Sequence, residues 1–155
     1  MGRLWRCLGV VCVVSGLVGV LGGAGGMAPP ATVSWSSLMG MEPEVAASYI
    51  IEIAVRSIVQ EYGVIYRTST GDEAGRRAFE DRLREGLSGE VSACLLDKDL
   101  MRGVAESRVS GRDVTVQSQM FEMFYQRVYG RLRRVAEAFW QGEAEVAYKA
   151  SSERE

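Results

Sequence analysis

The chain has 155 residues, 47% hydrophobic and 25% charged, with a formal net charge of −2 and no histidine. That length holds one domain with a core large enough to need neither disulfides nor metals. The mildly acidic balance argues against a nucleic-acid partner, which needs a basic footprint to displace counterions, and the missing histidine removes Ser-His-Asp and Cys-His nucleophile systems and most zinc sites.

Residues 1–26 read as a signal peptide or a membrane anchor. Arg3 and Arg6 precede the apolar run Cys7 to Leu21, and no charged residue follows until Glu42. The run has the length of a signal-peptide apolar region and ends in Gly22-Gly23-Ala24-Gly25-Gly26, which breaks a helix and offers small residues to a peptidase. A cut after Gly26 would leave Met27 first. The rival reading is an uncleaved span, because the uncharged stretch from Cys7 to Ala28 is long enough to cross a bilayer. Ser15, Gly19 and Gly23 also fall at small-xxx-small spacing, a weak motif in so glycine-rich a stretch. Any membrane contact is thus placed in residues 7–28. The two arginines favour an inside N-terminus, so both readings put the body outside the cytosol, periplasmic or extracytoplasmic. Without Arg3 and Arg6, sixteen basic residues face twenty acidic ones. Cys7 and Cys12 belong to this segment, which leaves Cys94 alone in the body, either a small buried hydrophobe or a thiol for an intermolecular disulfide.

Residues 27–42 read as a linker, with Pro29 and Pro30 followed by serines around Trp35. That tryptophan either meets the lipid interface or packs onto the domain. The domain itself is placed at 43–142. Pro43 suits the first turn of a helix running to about Arg67, and no proline follows it. Its polar residues Glu44, Ser48, Glu52, Arg56 and Gln60 recur every fourth position. They leave a broad apolar face of Val45, Tyr49, Ile50, Ile53, Ile58, Val59 and Ile65, as a central helix requires. The stretch Tyr62-Gly63-Val64-Ile65-Tyr66 also fits a short strand.

Thr70 and Glu73 have capping-box spacing for a second helix that carries Phe79, Leu83 and Leu87 on one face. Opposite charges four apart (Asp72/Arg76, Glu73/Arg77, Arg77/Asp81, Glu80/Arg84) lace its outer face. Gly86 and Gly89 are expected to interrupt. Ser88 then caps a third helix through Val91, Leu95, Leu100 and Val104, with Asp97-Lys98-Asp99 as a solvated turn or face. Residues 107–112 read as a loop in which Ser110 offers the next cap. The last helix is the longest, from about Asp113 to Gln141, with a seam of Met120, Phe124, Val128, Leu132, Val135 and Phe139. Gly142 is expected to stop or bend it, leaving 143–155 as a C-terminal extension with a frayed tail. The sum is an all-α chain: a signal peptide or anchor followed by a small four-helix bundle with a long C-terminal helix.

No pattern for a nucleotide, cofactor or metal is found, so no cofactor-binding or metal-ligating residue is expected. Glu52 and Glu61, in the most apolar helix, are the first candidates for carboxylate hydrolysis, a third-ranked reading with no catalytic residue assigned. The most distinctive stretch is the aromatic and arginine-rich part of the last helix. Phe121, Phe124, Tyr125, Arg127, Tyr129, Arg131, Arg134 and Trp140 are either a core seam with a solvated arginine face or a partner-binding or self-association surface. The function expected is that of an exported, non-catalytic accessory, chaperone-like factor or adaptor acting through protein–protein interaction. The alternative is a single-pass accessory subunit of a membrane complex.

Overall fold

The computed structural model describes residues 35–107 and 113–152. The targeting segment, the start of the linker, the Ser110 cap and the last three residues lie outside the described residues. Among the described residues there are four α-helices, one short 3-10 turn at Trp35–Leu38, and no strand.

Helix α1 spans Pro43–Thr70, with Pro43 in its first turn and Glu44 near the positive end of its dipole. The stripe from Glu44 to Gln60 is exposed throughout, while Ala47, Ile50, Ala54 and Ile58 are fully buried. Two residues of the expected apolar face are not: Val45 is 55% and Tyr49 49% exposed, because they lie beside the polar stripe while Ala46, Ala47 and Ile50 of the same turns face the core. Tyr62 to Tyr66 continue the helix rather than forming a strand. Gly63 sits where α1 and the next helix approach, and a Cβ there would lie 2.3 Å from Glu80 Oε1.

The turn after α1 differs from the expected capping box. Thr70 is the last residue of α1, its hydroxyl donating to the Tyr66 carbonyl and accepting the Asp72 N–H. Gly71 takes a φ of 69°, the only positive φ among the described residues, and its N–H donates to the Arg67 carbonyl. This left-handed cap ends α1 and passes the capping role to Asp72, whose Oδ1 accepts the Gly75 N–H at 2.8 Å. Gly71→Ala is therefore expected to cost about 1–2 kcal/mol, the penalty of a side chain in the left-handed region. Urea denaturation checks this, and an unchanged midpoint would contradict it.

Helix α2 spans Glu73–Leu96, with Phe79, Leu83, Leu87 and Cys94 buried. Its ion pairs are not the expected four-apart set: Arg76 pairs with Glu73 and Glu80, and Arg84 with Asp81. Gly86 and Gly89 do not interrupt it. Gly86 makes room for a ring instead, since a Cβ there would lie 3.2 Å from Phe139 Cδ2. Ser88 donates to the Glu85 carbonyl rather than capping a helix. The break comes eight residues later than expected, at Asp97, whose Oδ1 accepts the N–H groups of Asp99 and Leu100. That cap opens α3, Lys98–Ser107, which buries Leu100 and Val104. Leu95, expected to line the third helix, is instead exposed near the end of α2.

Helix α4 runs unbroken over Val114–Ser152, 39 residues, with Asp113 Oδ1 accepting the Thr115 N–H. Gly142 neither stops it nor leaves the next residue loose, because Glu143 pairs with Arg82 of α2 at 2.9 Å. The seam of α4 buries Phe124, Val128 and Leu132 as the spacing predicts, while Val135 and Phe139 are partly buried against the core.

Contacts fix the directions of the long helices. Glu90 meets Arg131, Gly86 meets Phe139 and Arg82 meets Glu143, so α2 and α4 are antiparallel. Glu61 meets Tyr129 and Tyr62 meets Arg133, so α1 runs alongside α4. Helix α3 packs on α4 and α1 beyond the end of α2. At the end of the segment read as a linker, Leu38 is buried and Trp35 packs on the core, its Nε1 donating to Glu122 Oε2 at 3.0 Å. Trp35 therefore takes the packed position of its two expected roles. Among the described residues, no helix is long and apolar enough to cross a membrane.

Candidate functional site

Helix α4 has two chemically different faces, and the candidate residues divide between them. Phe121, Phe124, Tyr125 and Tyr129 point inward and are 1–4% exposed. They cannot meet a partner unless the bundle opens, so of their two expected roles these four take the core seam rather than the binding surface. The physical reason is simple: three long helices need large side chains at their centre, and these four aromatics of α4 fill it. Tyr125 packs on Trp35 and on Tyr129, with ring centroids 5.8 Å and 5.7 Å away. Trp140 is partly buried, edge-on to Phe79 at 5.8 Å.

The inward face also carries a polar network. The Tyr129 hydroxyl donates to Glu61 Oε2 at 2.5 Å, and Arg133 lies 3.7 Å from Glu61 Oε1. Tyr62 joins through Arg133. Burial is the chief cause that pushes the Tyr62 phenol up to about 12, with Glu61 and Glu137 adding to it. Tyr129 is raised as well, by burial first and then by its bond to Glu61. Both phenols stay protonated near neutral pH; Tyr129 donates to Glu61 and Tyr62 accepts from Arg133, so the network reads as a lock between α1 and α4. Glu52 does not join Glu61. Nine residues apart, they project from opposite sides of α1, and Glu52 is solvent-exposed and paired with Arg56 at 3.3 Å.

Outward, α4 forms one wall of a cleft of about 460 Å³ with the start of α3, lined by Asp97, Asp99 and Leu100 opposite Gln126, Arg127, Gly130, Arg131 and Arg134. Arg131 is its fixed element, with Nε donating to Glu90 at 2.5 Å and Nη1 to Asp97 at 2.7 Å. Asp99 is paired with Arg102 at 3.1 Å. Arg127 and Arg134 are exposed, and neither has an ion-pair partner among the described residues. Met123, 56% exposed, lies one turn before Arg127 on the same face. Leu96, 80% exposed, adjoins Asp97.

The cleft thus brings together three of the candidate residues, Arg127, Arg131 and Arg134. Sequence reading missed Asp97, taken there as a solvated turn residue. The signal was an aspartate three residues before Leu100, a helix-start spacing. Cys94 is fully buried beside this ion-pair cluster, and burial raises its thiol pKa. That is the small-hydrophobe role, not an accessible disulfide partner. Among the described residues, no group of His, Cys, Asp or Glu is placed to hold a metal ion.

Asp97 should also mark the acid limb of stability. The Leu100 N–H, and then Arg131, hold its carboxyl below the ordinary carboxylate range. Its contribution is present above the unfolded value of about 3.9 and is lost as pH falls through its own lower value. The stability gap between the wild type and Asp97→Asn is expected to narrow over that acid range in urea titrations. A gap independent of pH would contradict this.

No family model, curated protein or solved structure matches the chain.

Proposed function

We propose that this is an exported, non-catalytic α-helical protein that acts by binding a protein partner through the outward face of α4. Export rests on the arginine-led, otherwise uncharged N-terminal stretch that ends in small residues. The observation that carries the binding reading is the stripe of Met123, Arg127 and Arg134. Two arginines with no ion-pair partner among the described residues stand in line with an exposed methionine, and Leu96 is exposed nearby. Methionine and arginine are enriched at protein interfaces, and a solvated helix face of this length ordinarily carries mixed charge. The aromatics of α4 serve this surface only by fixing the helix rigidly to α1 and α2. An accessory or adaptor role is the reading this surface supports best.

A photo-crosslinking residue at position 123, compared with one at the exposed Thr68 of α1, tests the reading in the native host. Discrete protein adducts are expected from position 123 and none from position 68. No adduct at 123, or the same adducts from both positions, would overturn it.

A further inference from the structure

The cleft between α3 and α4 has an asymmetry of charge that bears on what the partner presents to it. Every acid on its walls is already engaged: Asp97 by Arg131 and the α3 N-terminus, Asp99 by Arg102, and neighbouring Glu90 by Arg131. Its two outer arginines are not so engaged among the described residues. Arg127 and Arg134 are seven residues apart, two helical turns, so their backbones stand about 10 Å apart along the cleft. Between them lies Gly130. A glycine within a helix is destabilising relative to alanine, and packing does not explain this one, because a Cβ at Gly130 would meet nothing within 4 Å. Its effect is to keep the wall open to the helix backbone between two guanidinium groups. The neighbouring Met123 supplies exposed apolar surface.

We infer that this cleft binds an acidic peptide segment of the partner, its carboxylates held by Arg127 and Arg134 and its backbone lying over Gly130. The inference rests on the protein-binding reading above and narrows it to one chemistry. Guanidinium groups match carboxylates through paired N–H donors, and two of them spaced along a cleft fit a chain carrying several carboxylates better than one small anion. A flat anionic bilayer fits less well. Being flat, it cannot enter a concavity between two helices. A peptide can lie inside the concavity.

The test is fluorescence anisotropy of the full-length chain with a labelled octapeptide of alternating Glu and Ala, against the same peptide with Lys for Glu. Inorganic phosphate serves as competitor, and anionic vesicles serve as a second probe. Binding is expected for the acidic peptide only, weakening with salt and persisting in millimolar phosphate. The double variant Arg127→Glu/Arg134→Glu should lower affinity at least about tenfold, while Arg77→Glu on α2 should not. Gly130→Leu should lower it as much while leaving the fold intact, since the added side chain enters open space and favours helix. Equal binding of both peptides, full binding by Gly130→Leu, displacement by phosphate, or vesicle binding with the same arginine dependence would each overturn the inference. If the acidic peptide fails while position 123 still yields discrete adducts, protein binding stands and its acidic-peptide form falls.

Discussion

Phe79→Ala is expected to lower the unfolding free energy by about 3–5 kcal/mol, a large part of what a domain of this size possesses. Phe79 is fully buried and stands where three helices meet. It stacks on Tyr66 of α1 at 4.7 Å and contacts Phe139 and Trp140 of α4 at 6.0 Å and 5.8 Å. Two consequences of truncation add: lost transfer of the ring from water, and a cavity that neighbouring rings fill only in part. Urea denaturation with an unchanged slope reads this out. A loss below about 1 kcal/mol would mean that this cluster is not the meeting point described.

Glu61→Ala is the second large effect, expected at about 2–3 kcal/mol. Glu61 is only 11% exposed and receives the Tyr129 hydroxyl on one oxygen, with Arg133 near the other. Removing it strands a buried phenol and weakens the hold on a partly buried guanidinium, which costs more than one hydrogen bond contributes. Glu61→Gln keeps an acceptor and should cost less. A double-mutant cycle with Tyr129→Phe should show coupling of about 1 kcal/mol or more, and simple additivity would refute the network. The same network sets an alkaline limit. Tyr62 is raised to about 12, so its contribution is intact below the unfolded tyrosine value near 10 and is lost as pH climbs toward 12.

Much of the fold was legible because periodicity reports burial directly. The polar stripe of α1, the Phe79-Leu83-Leu87 line and the α4 seam all follow from a period near 3.6. The boundaries were less legible, because short polar signals compete. Thr70 and Asp72 both suit a cap, and Gly71 decides between them by taking a left-handed conformation that ends α1. Gly86, Gly89 and Gly142 read as breaks, yet a glycine inside a helix costs only about 1 kcal/mol, which packing across a long helix outweighs. The candidate site was half legible. Arginines spaced along α4 were visible as a group, and so were the aromatics, but periodicity alone does not say which set faces the core. Asp97 was half hidden: its cap on α3 is local and left a spacing signal, but its pairing with Arg131, which makes it part of the site, exists only after the helices assemble.

The central claim, that this chain is exported and works by binding, is tested most directly by the N-terminus and intact mass of the native protein from separated cytosolic, membrane and extracytoplasmic fractions. A full-length species in the membrane fraction would replace the exported reading with the anchored one. The account predicts a soluble extracytoplasmic species beginning near Gly25 or Met27. A full-length chain bearing Met1 in the cytosolic fraction would contradict it.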